Sequence, residues 1–455
     1  MGAAVEAFLD GCRHAVGAAD VVTDPDLLAG AVVDWTRRFS GTTPALVRPG
    51  TAGEVAQVVA LARRHRVALV PQGGNTSLVA GAVPLAGEVV VGLGRLAGLG
   101  EVDRAAGQVT VGAGVTLAAL ARHAAAAGLA FGVDIGSRDS ATVGGMIATN
   151  AGGLHVVRHG AMRAQVVGVE AVLGTGAVIS RLAGLVKDNT GYDLAQLLCG
   201  SEGTLGIVTS ARLRLVPPDA HVVAALVGLR TVEDVASLAG DLRRRLPSVR
   251  ALELMTGPSL RLVAEVLEAT PPVAPDAGAF LLVEAGGPVD PVDALAEAVE
   301  GAPGLLGVAV ATGRAERTGL WRWREAHSEA GARWGAVHKL DVTLPAGELA
   351  RFCADVGATV DAARPGSRLL LFGHVGDGNV HVNVVGPPAD DDGIDDAVLG
   401  LVVERGGSIS AEHGIGTLKK RWLGRDRSAD EVSTMRAIKH ALDPDGVLNP
   451  NVLFA

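Results

Sequence analysis

Aromatic side chains are scarce: one tyrosine, five tryptophans and seven phenylalanines stand among 455 residues, 3% in all. Ala, Val, Leu and Gly dominate instead, so the few tryptophans are worth locating. The three cysteines, Cys12, Cys199 and Cys353, are widely spaced and cannot form an even disulfide framework. A reducing compartment fits, and the cytoplasm is the expected location. No segment offers 18 uninterrupted apolar positions, which excludes a spanning helix. There is no basic excess either: the formal charge of −9 excludes generic binding to nucleic acid, which needs cations to displace phosphate counterions. The start, Met1-Gly2-Ala3-Ala4-Val5-Glu6, lacks the positive region and apolar core of a secretory signal. What remains is a globular chain of two or three domains, 48% hydrophobic and 20% charged.

The chain is organised around Leu369-Leu370-Leu371-Phe372-Gly373-His374-Val375-Gly376-Asp377-Gly378-Asn379-Val380-His381-Val382-Asn383. Two apolar or β-branched runs flank Asp377-Gly378, the pair that a two-residue type I′ hairpin turn demands. Counting outward from that turn sets Gly376 opposite Asn379, Val375 opposite Val380 and His374 directly opposite His381, with Cβ atoms roughly 4.5–5.5 Å apart. Asn383 shares their face, since strand side chains repeat every second position. Two strand histidines can simply be satisfied core residues. The register, the neighbouring Asn383 and a second cluster, Ser410-Ala411-Glu412-His413-Gly414-Ile415-Gly416, favour a site. Two imidazoles can chelate a divalent ion at about 2.0–2.1 Å per nitrogen, and Glu412 completes a two-histidine, one-carboxylate set with positions left for substrate. Zinc is the first expectation; manganese, iron and cobalt tolerate the same ligands.

Taken in order, residues 1–40 read as helical segments, with Thr23-Asp24-Pro25 as a start signal. Ala45 to Pro49 reads as a strand, Thr51 as an N-cap, and Val55, Val58, Val59 and Ala62 as one apolar helical face. Val67 to Val70 is a second strand running into Pro71-Gln72-Gly73-Gly74-Asn75-Thr76-Ser77, whose glycines let backbone N–H groups converge on a phosphate. Small residues recur from Asp134 to Gly153 and again from Gly200 to Thr209. Three such stretches imply one extended ligand threaded between two subdomains, larger than a mononucleotide. Gly92-Leu93-Gly94-Arg95-Leu96-Ala97 fails as a dinucleotide fingerprint, because Ala97 stands where the third glycine belongs and another strand follows. After Pro217-Pro218 the small-residue motifs stop and strands alternate with helices, so a boundary falls near residue 218. Leu320 to Ser328 reads as a helix with Arg324 and Ser328 on one face. Lys339, Asp341 and Thr343 share one face of a strand. Trp321 and Trp334 read as packing residues.

These stretches resemble the FAD-binding domain of the vanillyl-alcohol oxidase or PCMH-type flavoproteins. The chain from Val33 to Pro450, including Lys187-Asp188-Asn189-Thr190-Gly191-Tyr192-Asp193-Leu194 and Gly200-Ser201-Glu202-Gly203-Thr204-Leu205-Gly206, is similar to FAD-linked D-2-hydroxyacid dehydrogenases, in the branch of the D-2-hydroxyglutarate and D-lactate dehydrogenases and the glycolate oxidase flavin subunit. The resemblance implies an α+β fold: an N-terminal helical segment (1–40), a two-subdomain FAD-binding domain (41–218), a substrate or cap domain with an antiparallel sheet (219–408), and a C-terminal segment returning to the flavin (409–455). It implies that Pro71 to Ser77 hold the FAD pyrophosphate. Asp134, Gly136, Ser137, Thr142, Gly144, Gly145, Ile147, Asn150, Gly152 and Gly153 would line the rest of the cofactor, with Glu202, Gly203, Ile207, Val208 and Asn449. Asn75 occupies the place where some relatives carry a histidine for covalent attachment, so the FAD is expected to be noncovalent.

Arg324 and Lys339 fall where the family contacts the substrate carboxylate, a guanidinium fork and an ammonium point charge. The expected reaction is oxidation of a D-2-hydroxy acid. Arg324 and Lys339 anchor its C1 carboxylate, a metal on His374, His381 and Glu412 binds that carboxylate and the hydroxyl, and His413 takes the proton. Hydride passes to flavin N5, with Asn383 and Ser328 supporting the substrate. Electrons would leave to an electron-transfer flavoprotein, a quinone or a cytochrome, and a homodimer is admitted. The rival readings are a 2-hydroxyacid oxidase, a non-redox enzyme on the same flavin scaffold, and a metal-dependent hydrolase without flavin.

Overall fold

The computed structural model describes residues 2–454, which divide into two compact units. The first takes the chain up to Gly153, then His159–Pro217 and the run from Glu412; the second is Leu154–Arg158 with Pro218–Ala411.

In the first unit the N-terminal helix Ala3–Val16 buries Phe8, Leu9, Cys12 and Val16. Helix Ala52–His65 buries Val55, Val58, Val59 and Ala62, and the Thr51 hydroxyl caps it by accepting the Glu54 N–H at 3.1 Å, as the spacing predicts. Two sheets form the core. One takes β1 (Val21–Val22), β2 (Leu46–Val47), β3 (Leu69–Gln72) and β4 (Val89–Gly92) in the order β1-β2-β4-β3. The other takes β5 (Leu99–Asp103), β6 (Gln108–Gly112), β7 (Val166–Leu173), β8 (Val178–Ser180) and β9 (Gly206–Arg214) in the antiparallel order β5-β6-β9-β7-β8. The residues after Gly92 do enter a strand, β5, which is why no dinucleotide-binding helix opens there. β3 runs two residues further than expected, because Pro71 and Gln72 stay in register with Val91 and Gly92. The Gln72 amide donates to the carbonyls of Ala31 and Ala82, so that side chain is a brace.

The second unit is one seven-stranded antiparallel sheet. Its strands are β10 (His221–Leu229), β11 (Val249–Thr256), β12 (Ala279–Gly287), β13 (Leu305–Ala311), β14 (Val337–Thr343), β15 (Arg368–His374) and β16 (Asn379–Val385), in the order β13-β10-β12-β11-β15-β16-β14. Every residue of β12 is buried, so both faces are covered. Helices Gly257–Leu267 and Arg314–Ala330 pack on the face that carries Ala251, Met255, Leu370 and Phe372. Trp321 is a packing residue on that helix, with its indole N–H donating to Glu284 at 2.9 Å.

The hairpin of β15 and β16 departs from the expected register by two residues. Phe372, not His374, lies opposite His381, and four residues, Val375 to Gly378, make the turn. The neighbouring strand sets this register. Asn379 donates its amide to Asp341 at 2.7 Å and to the Val342 carbonyl at 2.9 Å, and Gly378, at φ +82°, accepts the Leu344 N–H at 2.9 Å. A slip of two keeps every side chain on its face, whereas a slip of one would have sent the two histidines to opposite sides.

Candidate active site

On the second unit's sheet, register brings distant residues into rows across one face. Lys339 pairs with Asn383, and Asp341 with His381, which pairs with Phe372, which pairs with Met255. Glu253 is the direct cross-strand partner of His374. Because opposed residues share a face, His374 and His381 meet diagonally, with ring centroids 5.3 Å apart and planes at 82°. Arg324, from helix Arg314–Ala330, lays its guanidinium over Phe372, 4.7 Å from the ring centre.

Glu253 ties this face together. It is completely buried, one oxygen accepting from His374 Nδ1 at 2.7 Å and the other from Arg324 Nε at 2.6 Å. Burial alone would raise the Glu253 pKa, but His374 and the Arg324 guanidinium outweigh it and hold the carboxyl well below the usual carboxylate range. Removing one partner of a buried pair of this kind costs about 3–5 kcal/mol. Asp341, also fully buried, accepts the Ala411 N–H at 3.2 Å and lies 3.5 Å from His381 Nδ1. Each histidine thus has a buried carboxylate on its Nδ1 side, the arrangement that orients metal-ligating imidazoles. Burial lowers the Lys339 pKa, with Glu329 opposing, and its ammonium donates to the Ser328 carbonyl at 3.3 Å. Ser328 itself is exposed. One turn from Arg324, His327 is fully buried; burial first and the Arg324 charge second push its pKa down to about 3, so it is neutral.

In the first unit the three small-residue stretches converge. A Cβ on Gly74 would stand 1.8 Å from the Ser140 carbonyl oxygen, and one on Gly153 would stand 2.1 Å from that of Asp134. The Glu202 N–H donates to the Ala148 carbonyl at 2.8 Å, and Asn449 donates to the carbonyls of Glu202 and Gly81 at 2.7 and 2.9 Å. Much of the close approach that the glycines permit is therefore of one stretch to another. Among the described residues, the successive backbone N–H groups from Gly73 to Ser77 donate no hydrogen bond within the protein. A partly buried row of unused donors is a nest for an anion, which fits the pyrophosphate of FAD.

Other side chains expected at the cofactor do different work. Those of Ile147, Ile207 and Val208 lie in the apolar core, Asn75 donates to the carbonyls of Gly30 and Val33, and Asn150 accepts the Arg163 N–H. The buried Glu202 carboxylate accepts the N–H groups of Ile415 and Gly416 at 2.8 and 2.7 Å. Burial raises its pKa against those bonds and the nearby Lys419. Glu202 thereby fixes the loop that follows Glu412 and His413. The Glu412 carboxylate accepts the Gly153 N–H through Oε1 at 2.6 Å.

Two residues that organise these sites, Glu253 and the Asp341 carboxylate as a partner of His381, are absent from the sequence-based set. The available signal for the first is a lone acid in the apolar run Ala251-Leu252-Glu253-Leu254-Met255.

Comparison with known proteins matches two family models, "FAD binding domain" over residues 43–181 and "FAD linked oxidases, C-terminal domain" over residues 218–453. D-2-hydroxyglutarate dehydrogenase of Xanthomonas citri pv. viticola is 38% identical over 457 residues, covering 97% of this chain and 96% of its own. That of Stutzerimonas stutzeri is 34% identical, covering 99% of both. Among solved structures, p-cresol methylhydroxylase with bound substrate superposes with a TM-score of 0.80 at 16% identity, over 99% of this chain and 97% of that one. 4-Ethylphenol oxidase from Gulosibacter chungangensis gives 0.76 at 18%, over 100% and 98%. The structures establish a PCMH-type fold, and the sequence matches establish more: this chain belongs to the FAD-linked oxidases, as a member of the D-2-hydroxyacid dehydrogenase family of flavoenzymes.

Proposed function

We propose that the protein oxidises D-2-hydroxyglutarate, or a closely related D-2-hydroxy acid, to the 2-oxo acid with noncovalent FAD and a divalent metal, zinc foremost. The observation that carries this reading is the buried Glu253 tie, which holds a histidine beside a second histidine and an arginine on one sheet face. Whole-length relatives bearing the name D-2-hydroxyglutarate dehydrogenase support the choice of acid.

Arg324 and Lys339 bind carboxylate, the guanidinium through its terminal amines and the ammonium as a point charge. Asn383, paired with Lys339 across the strands, offers an amide to the same substrate. His374, through Nε2, and His381 supply nitrogen ligands, and Glu412 supplies the carboxylate. A metal held there would polarise the 2-hydroxyl and lower its pKa. His413 takes the hydroxyl proton on a ring nitrogen, a task suited to an imidazole near neutral pH. The flavin, when bound, would supply the hydride acceptor at N5 for the hydrogen leaving Cα, so that the C–H and O–H bonds break as the C=O bond forms. An electron-transfer flavoprotein, quinone or cytochrome then collects the electrons. Three buried, unpaired thiols accord with a cytoplasmic setting.

Anaerobic mixing with a panel of D- and L-2-hydroxy acids tests the reading. D-2-hydroxyglutarate should bleach the flavin absorbance fastest and its L-enantiomer should not. A flavin that no 2-hydroxy acid bleaches would point to a non-redox enzyme on this fold, which alkyldihydroxyacetonephosphate synthase also adopts, at a TM-score of 0.77 and 16% identity.

A further inference from the structure

We infer that Glu253 is a positioning residue whose single carboxylate sets both the ligand nitrogen of His374 and the substrate-facing amines of Arg324, coupling metal binding to carboxylate binding. The inference rests on the proposed roles of His374 and Arg324 and goes beyond them.

Geometry carries it. An ionised carboxylate only accepts, so the nitrogen 2.7 Å from Glu253 Oε1, His374 Nδ1, must carry the proton. In the neutral imidazole the lone pair is then on Nε2, the nitrogen that His374 would offer to a cation. Glu253 Oε2 takes the Nε–H of Arg324 at 2.6 Å, so the two terminal amines remain for a substrate oxygen pair. Neither contact can be exchanged for water, because Glu253 is 0% exposed and Arg324 only 5%. Arg324 is also held from a second side. Phe372 lies under the Arg324 guanidinium, and its ring abuts that of His381 with centroids 5.0 Å apart and planes at 45°. Rotating the guanidinium away would therefore break a buried ion pair and uncover a ring that abuts the second histidine.

A buried ion pair could serve stability alone, and the two roles separate experimentally. In E253Q the side chain keeps its shape but has one acceptor oxygen and an NH2 group, so it cannot accept from both neighbours. If the NH2 faces His374, Nδ1 must become the acceptor and the proton moves to Nε2, the ligand atom. If it faces Arg324, two donors collide and the guanidinium turns. Zinc affinity of the FAD-loaded protein, read by chelator competition, should fall roughly 10- to 100-fold in E253Q, the usual loss when the outer partner of a ligating histidine is removed. KM for the acid should rise about tenfold, as expected for a lost charge-assisted hydrogen bond. FAD content should match wild type. The neighbouring L254A, a change in the same strand without these contacts, should lower the melting temperature and leave zinc affinity alone.

E253Q that folds, keeps its FAD and binds zinc and substrate as tightly as wild type overturns the inference while leaving the proposed function standing. Wild-type protein that binds no divalent ion removes the metal reading itself, and this inference with it. If E253Q does not accumulate folded, E253D replaces it: the charge stays but the shorter arm reaches at most one partner, and the same two outcomes apply.

Discussion

Each compact unit contains a buried glutamate with two hydrogen-bonded partners, and the partners differ in kind. In the first unit Glu202 accepts two backbone N–H groups, and burial raises its pKa. In the second, Glu253 accepts from an arginine and a histidine, which overcome burial and lower it. The contrast runs through both units. The first works with backbone: a row of unused N–H groups from Gly73 to Ser77, and glycines packed against carbonyls with no room for a Cβ. The second works with side chains, charged groups set by strand register on a face that is otherwise apolar. Holding a cofactor asks for shape and partial charges, whereas binding and deprotonating an acid asks for full charges and a proton acceptor. Cofactor retention and chemistry should therefore break separately.

Glu412 and His413 are the exceptions in the first unit, chemical side chains on a loop that backbone contacts hold. H413A should slow flavin reduction by roughly 10²-fold or more, the scale of a lost general base, with FAD fully retained. Rapid-mixing absorbance reads both, and an unchanged bleaching rate would remove His413 from the chemistry. The reverse break is G74A. Its Cβ would meet backbone at 1.8 Å, so FAD affinity should drop about 10- to 100-fold, from the typical 1–3 kcal/mol of overpacking strain. Zinc binding should persist. G136A, with nothing within 4 Å of its new Cβ, should retain the flavin, and the ratio of flavin to protein absorbance in the purified proteins compares the two.

Which of these features the sequence discloses depends on whether they are local. The helix face of Val55, Val58, Val59 and Ala62 and the Thr51 cap follow from spacing within one turn, and they match. Parity also survives: His374, His381 and Asn383 share a face even though the hairpin pairs two residues away from the expected register. The turn pair Asp377-Gly378 could not set that register, because Asn379 is fastened to β14, a strand nearly 40 positions earlier in the chain. Glu253 lies 121 positions before His374, and no local pattern links them. At the cofactor, small residues mark the stretches correctly, but they do not say whether a glycine faces a ligand or another loop. Gly74 faces Ser140, and Ile147 faces the core.

Smaller effects sharpen the contrast. R324K keeps a charge but loses the planar fork shared between Glu253 and substrate, so KM should rise about tenfold with FAD unchanged, measured by steady-state kinetics. Lys339 should give the mildest signature. Burial lowers its pKa below that of a free lysine, so its charge is lost as pH rises through the lowered value. KM should climb on the alkaline side earlier than an ordinary lysine would cause, while K339M should have a higher KM without that limb. Matching pH profiles for the two proteins would take Lys339 out of substrate binding.

The division of labour is tested most directly by anaerobic reduction of the flavin by D-2-hydroxyglutarate in enzyme stripped with a chelator and then resupplied with zinc. The expected result is a yellow, FAD-saturated protein that does not bleach until the ion returns. Full-rate bleaching of the metal-free enzyme, or loss of FAD together with the metal, would contradict it.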